Sequence, residues 1–106
     1  MAIAAVSITP IGEGVSVSRF VAATQEVVHG QDRLRYRLDP MFTTLEGELA
    51  DINALIQAMQ EAVFAAGARR VSTVIKIDDR RDRPVRMQDK LDSVEAKLRD
   101  PGRAGG

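Results

Sequence analysis

The 106-residue chain contains no cysteine and no tryptophan, and its aromatic residues are limited to one tyrosine and three phenylalanines. The absence of cysteine excludes disulfide bonds, thiolate metal sites and a cysteine nucleophile. His29 is the one histidine of the sequence, so a metal site built from imidazole ligands is not expected. The shortage of aromatics also disfavours a sheet that stacks nucleic-acid bases.

The chain also lacks a net charge and a long apolar run. Its 15 basic and 15 acidic side chains balance, which gives no general attraction to nucleic acid or to an anionic membrane. The opening MAIAAVSITP has neither the basic start nor the apolar length of a signal peptide or spanning helix. We therefore expect a cytoplasmic protein without a cofactor. Its length predicts one domain, over residues 1–99, followed by a flexible tail over residues 100–106.

Hydrophobic periodicity predicts strands and helices in a recognisable order. Alternation favours strands over residues 2–9, 33–40, 41–48 and 69–79. Apolar residues three and four positions apart predict helices over residues 17–29, 50–66 and 87–98. Ser16 or Ser18 is expected to cap the first helix, and Gly67 to end the second. The order is that of a ferredoxin-like α+β fold, β-α-β-β-α-β, with an added C-terminal helix.

In that fold both main helices cover one face of a four-stranded antiparallel sheet, which leaves the other face, called here the open face, for water, a ligand or a second subunit. Strand alternation predicts which side chains lie there. We expect Val6, Ile8, Leu45, Val71, Ile75 and Ile77 under the helices. The expected open-face residues are Ala5, Ser7, Thr9, Phe42, Thr44, Glu46, Ser72, Val74, Lys76 and Asp78. This surface favours sheet-to-sheet association with a polar pocket at the seam.

Four segments together resemble a known family: VSITPIGEGVSVSRFVA, PMFTTLEGE, EAVFAAGARRV and STVIKIDDRRDR. In this order and spacing they are similar to the small thiamine-binding family, whose tandem-domain relatives are the YkoF-like proteins. The resemblance covers roughly residues 2–98. Two features depart from the family: Phe42 replaces a commonly smaller residue, and the strand QDRLRYR is unusually rich in arginine.

The resemblance implies a ferredoxin-like fold whose subunits associate through their sheets into homodimers and homotetramers. It further implies binding of thiamine or its hydroxymethylpyrimidine part by a carrier or sensor, not an enzyme. The rival interpretation is a ligand-free oligomeric assembly or regulatory module. With or without a ligand, the apolar stripe of the third helix, Met87, Leu91, Val94 and Leu98, is the expected extra contact of a larger assembly.

Thiamine is a cation with an aminopyrimidine edge, so its site needs a carboxylate, hydroxyl groups and an apolar or aromatic wall. The predicted ligand-binding residues are Ser7, Phe42, Thr44, Glu46, Lys76 and Asp78. Glu46 is expected to accept a hydrogen bond from the aminopyrimidine, and Asp78 to balance the cationic ring.

Simpler structural roles remain open for the charged residues. Glu46 could pair with Lys76 across strands, which would contribute little. Asp78 and Asp79 could instead organise a turn and pair with Arg80 or Arg81. The whole run DDRRDR is expected to form ion pairs between subunits.

Overall fold

The computed structural model describes residues 1–84 and 86–99. Its elements are β1 (Ala2–Pro10), α1 (Ser18–His29), β2 (Arg35–Leu38), β3 (Thr43–Gly47), α2 (Leu49–Ala65), β4 (Val71–Asp79) and α3 (Met87–Arg99). The predicted ferredoxin-like order with its added helix is confirmed. The tail predicted over residues 100–106 lies outside the described residues.

The four strands form one antiparallel sheet in the order β2-β3-β1-β4. Helices α1 and α2 pack on one face and on each other, and α2 lies across β1, β3 and β4. The core between these layers contains fully buried side chains from both strands and helices: Ala4, Val6, Leu45, Ile52 and Met59. The stripe predicted for α2 is therefore its buried face. None of the helices in the described ranges is long and apolar enough to cross a membrane.

The ends of the helices follow the sequence only in part. Helix α1 ends at His29, as predicted, but the expected serine cap is wrong. Val17 occupies the N-cap position without a side-chain hydrogen bond, and its carbonyl oxygen accepts from the backbone N–H of Phe20 at 3.0 Å. After α2, Gly67 adopts a φ of +113°, a left-handed conformation that favours glycine and lets the chain turn back towards β4.

The predicted burial of Ile75 and Ile77 is wrong. The register places them opposite Val6 and Ala4, on the helix side of the sheet as expected. They nevertheless remain 44% and 41% exposed. β4 is an edge strand, and α2 covers only its beginning. There the Thr73 hydroxyl donates a hydrogen bond to Gln60 of α2. Alternation predicted the correct side for both isoleucines but not how far the helices reach.

Candidate functional site

The strand register aligns the open-face residues in rows across the sheet. One row, called here the central row, contains Arg37, Thr44, Ala5 and Lys76 on the four successive strands. The next row, called here the second row, contains Arg35, Glu46, Ile3 and Asp78. Residues directly opposite each other across antiparallel strands point to the same face. Long basic side chains from the two edge strands therefore flank the small residues of the central row.

The first turn of α3 is held against this face by polar contacts. The backbone N–H of Met87 donates to the Glu46 carboxylate at 2.9 Å. The Lys90 ammonium donates to the Asp78 carboxylate, and an Arg37 guanidinium N–H donates to Oε1 of Gln88 at 3.1 Å. No side chain of α3 within the described residues is buried, so these contacts, rather than a packed apolar face, locate the helix.

A cleft of about 490 Å³ lies between the first turn of α3 and the open face. Ala5 and Thr44 contribute to its sheet side, and Met87 and Leu91 to its helix side. Five charged side chains also line it: Arg37, Lys76, Lys90, Asp39 and Asp78. The volume falls within the range of about 300–1,000 Å³ found for small-molecule sites. Apolar walls with a few polar groups are the usual composition of such sites.

The structure separates the six predicted ligand-binding residues into three groups. Thr44, Lys76 and Asp78 line the cleft. Ser7 and Phe42 line a neighbouring cavity of about 80 Å³, and the two cavities share Asp39. Glu46 is only 3% exposed and does not line either of them. Its carboxylate binds the Met87 amide instead, so Glu46 acts on the site through the position of α3.

The charged run DDRRDR follows the turn interpretation in part: Asp79 pairs with a neighbouring arginine as expected, whereas Asp78 does not. Asp78 pairs with Lys90, not with the arginines that follow it. Asp79 pairs with Arg81 at 3.0 Å, and Arg80 pairs with Asp82 at 2.6 Å. These four neighbours therefore form ion pairs within the chain, and the ion-pair network between subunits stays a prediction.

One polar residue of the smaller cavity carries no signal in the sequence. Gln25 lies on α1, and its Nε2 donates to the Thr43 hydroxyl at 3.0 Å. Its Oε1 atom is buried and has no hydrogen-bond partner among the described residues. A buried polar atom is normally paired, because leaving it unpaired is unfavourable. The helical pattern alone gives no means of distinguishing this glutamine from one that faces solvent.

The electrostatics of the cleft favour an ionised Asp78. The hydrogen bond from Lys90, reinforced by the charge of that lysine, lowers the pKa of the Asp78 carboxyl below its ordinary value of 3.8. Asp39 makes no ion pair with any described residue, and its Oδ2 lies 3.5 Å from the Thr44 hydroxyl oxygen. Asp39 is thus a carboxylate with room for a further partner.

A second surface depression, of about 540 Å³, lies at Met1 and residues 79–84. Charged side chains make up most of its wall, and four of them, Asp79, Arg80, Arg81 and Asp82, are already paired with each other. Within residues 1–84 and 86–99, no group of three or more histidine or acidic side chains is arranged to hold a metal ion. The open-face cleft therefore combines apolar walls with available polar groups better than this depression does.

Comparisons with known proteins agree with this architecture. A family model described as thiamine-binding protein matches residues 4–95. The UPF0045 protein YqgV of Bacillus subtilis is 48% identical over 102 residues, covering 92% of this chain and 98% of that protein. A UPF0045 protein of Methanothermobacter thermautotrophicus is 39% identical over 100 residues, covering 92% of this chain and all of the relative.

Solved structures of other proteins share this fold over most of the chain. A hypothetical protein from Methanocaldococcus jannaschii has a TM-score of 0.81 at 34% identity, over 89% of this chain and 95% of its own. A Thermotoga maritima protein, described as a candidate for thiamine biosynthesis or salvage, has a TM-score of 0.76 over 88% of this chain and 97% of its own. At 17% sequence identity, this similarity supports the fold of the chain and nothing about its function.

Proposed function

Because the chain belongs to the thiamine-binding protein family, we propose that it binds thiamine or a related hydroxymethylpyrimidine compound, without catalysis, in the open-face cleft. The observation that carries this proposal is the juxtaposition of carboxylates, a hydroxyl and apolar side chains around that cleft. Thiamine requires this combination, since it joins a cationic thiazolium ring to an aminopyrimidine. The proposed setting is the cytoplasm.

The carboxylates of the cleft suit the cationic ring. Asp78 is ionised at neutral pH, and the hydrogen bond from Lys90 lowers its pKa still further below the ordinary value. Asp39 has no basic partner among the described residues and borders both cavities. We assign the counter-charge for the thiazolium chiefly to Asp39, with Asp78 as a second carboxylate that it shares with Lys90. The Thr44 hydroxyl supplies a hydrogen bond, and Met87 and Leu91 supply the apolar wall.

The smaller cavity suits the aminopyrimidine end of the same ligand. Phe42 offers an aromatic wall, Ser7 a hydroxyl, and Gln25 a buried carbonyl oxygen that can accept from an amino group. The two cavities share Asp39 in their walls, and we propose that a two-ring ligand spans them at this residue. Glu46, first expected to bind the aminopyrimidine, keeps a role as the residue that positions α3.

Calorimetric titration with thiamine and with hydroxymethylpyrimidine tests the proposal. Saturable binding should be weakened about tenfold or more by Asp39→Asn and by Asp78→Asn, because each loses one charge-assisted contact. Asp51→Asn is the matched control, since that aspartate pairs with Arg33 at 3.5 Å and lines neither cavity. Absence of binding by both compounds, or equal weakening by the control, would contradict the proposal.

A second candidate function is assembly, as a homodimer or homotetramer, without a ligand. Exposed apolar side chains favour it: Val74, Ile75 and Ile77 along the edge strand, and Leu91, Val94 and Leu98 along α3 are between 41% and 72% exposed. Exposed edge strands and apolar patches are common association surfaces. Light scattering on wild-type protein and on Val74→Lys tests this. A monomeric mass for the wild type would eliminate it, whereas an oligomer that the substitution dissociates would support it.

A further inference from the structure

Two basic side chains at the cleft form no ion pair with a described acidic residue. Three basic and two acidic residues line it, and the contact between Lys90 and Asp78 uses one of each. Arg37 and Lys76 form no ion pair with any described residue. The cleft consequently carries an excess of one positive charge, which is unexpected for a site whose ligand is solely a cation.

The register brings these two side chains towards the same space. Arg37 and Lys76 occupy the two ends of the central row, on opposite edge strands, with Thr44 and Ala5 between them. Three strand spacings of about 4.8 Å place their Cα atoms about 14 Å apart. Both side chains are long and rise from the same face, so their charged ends can approach one group above Thr44 and Ala5.

Arg37 is also held in position. One of its N–H groups donates to Gln88, whose own Nε2 donates to Asp92 at 2.9 Å. A guanidinium has five N–H donors, and a described residue accepts from only one of them. A planar guanidinium with free donors matches the geometry of a phosphate group, and a lysine adds a point charge beside it.

We propose that the cleft prefers the phosphate ester of its ligand to the free alcohol, with Arg37 and Lys76 binding the phosphate. This inference rests on the proposed function, because it specifies the chemical form of the ligand in the same site. A phosphate ester of thiamine carries both signs of charge. Its cationic ring fits Asp39, which has no basic partner among the described residues, and its phosphate fits Arg37 and Lys76, which form no ion pair with a described residue. A free thiamine leaves the basic pair without a partner.

Parallel calorimetric titrations with thiamine, thiamine monophosphate, hydroxymethylpyrimidine, its phosphate and inorganic phosphate test the proposal. We expect at least one phosphate ester to bind about tenfold more tightly than its free alcohol. Arg37→Gln and Lys76→Met should each remove most of this preference, measured as the ratio of the affinity for the ester to that for the free alcohol within each variant. Lys97→Met, on the last turn of α3 and outside the cleft wall, should leave the preference intact. The preference should also decrease as salt is added.

The outcomes separate this inference from the function on which it rests. Equal affinities for ester and alcohol would overturn the phosphate preference while leaving thiamine binding in place. A preference that persists in both cleft variants would overturn the assignment of Arg37 and Lys76. Inorganic phosphate that binds as tightly as the esters would indicate a simple anion site and would also overturn it. If none of the organic ligands binds, the proposed function and this inference are both wrong.

Discussion

Glu46→Ala should release α3 from the open face. Glu46 is 3% exposed, and its carboxylate accepts the backbone N–H of Met87, the first residue of the helix. The two other polar contacts of α3 with the sheet involve exposed side chains, which contribute little because water and salt screen them. With no buried side chain on α3 itself, the Glu46 contact is the principal one that holds it.

The expected size of the effect follows from this contact. A hydrogen bond to a charged acceptor contributes about 1.5–3 kcal/mol. Losing about 2 kcal/mol changes the ratio of docked to undocked α3 by about 30-fold. Glu46→Gln keeps an uncharged acceptor, so its effect should be about half as large in free energy. An undocked helix of this length is marginally stable in water, so its amides should then exchange rapidly with solvent.

Hydrogen exchange followed by mass spectrometry measures this release. Peptides from α3 should exchange fastest in Glu46→Ala, more slowly in Glu46→Gln and slowest in the wild type, whereas peptides from α1 and α2 should not change. Glu61→Ala, on the exposed side of α2, is the control. If α3 exchanges at the same rate in all four proteins, Glu46 does not hold the helix and the reasoning is wrong.

Two further predictions concern stability and pH. Gly47→Ala should destabilise the protein by about 1–3 kcal/mol in chemical denaturation, because the backbone there has a φ of +153° and an added Cβ would overlap the Leu34 side chain; an unchanged midpoint would contradict the packing seen at this position. The Asp78 pKa is lowered in the folded protein by the hydrogen bond from Lys90, so the contact between them should persist above the ordinary value of 3.8 and be lost only as the pH falls below it. An NMR titration of the Asp78 carboxyl measures this, and a midpoint above 3.8 would refute it.

The sequence was informative where neighbouring elements bury a regular pattern. The apolar residues of α2 recur on one helical face, and that face is the core, as predicted. Alternation likewise predicted which residues point to the open face, since pairing in register keeps each row on one side. It did not predict how much of each strand is covered, because coverage depends on helix placement. The exposure of Ile75 and Ile77 on the edge strand is the consequence.

The walls of the site were less predictable, because they depend on contacts distant in sequence. Glu46 and Met87 are 41 positions apart, and Arg37 and Gln88 are 51 apart. No local pattern connects these partners. The stripe of α3 predicts a partner contact, which keeps its place as a prediction because Leu98 is 72% exposed in the single chain, but it gives no sign that polar groups of the first turn meet the sheet. Gln25 illustrates the same limit, since its buried Oε1 atom and its hydrogen bond to Thr43, 18 positions away, depend on the packing of α1 beside β3.

The position of α3 links the two parts of the proposed site. Met87 and Leu91 form one wall of the cleft only while the helix is docked, and docking depends on Glu46. A ligand that contacts this wall must therefore bind docked protein more tightly, and by linkage it must also favour docking. Glu46→Ala should then weaken thiamine binding in proportion to the docked population it loses, although Glu46 lines neither cavity. Saturating thiamine should in turn slow hydrogen exchange in α3 of the wild type. Faster exchange would mean that the ligand displaces Lys90 from Asp78 and opens the cleft, which would contradict α3 as a wall of the bound site.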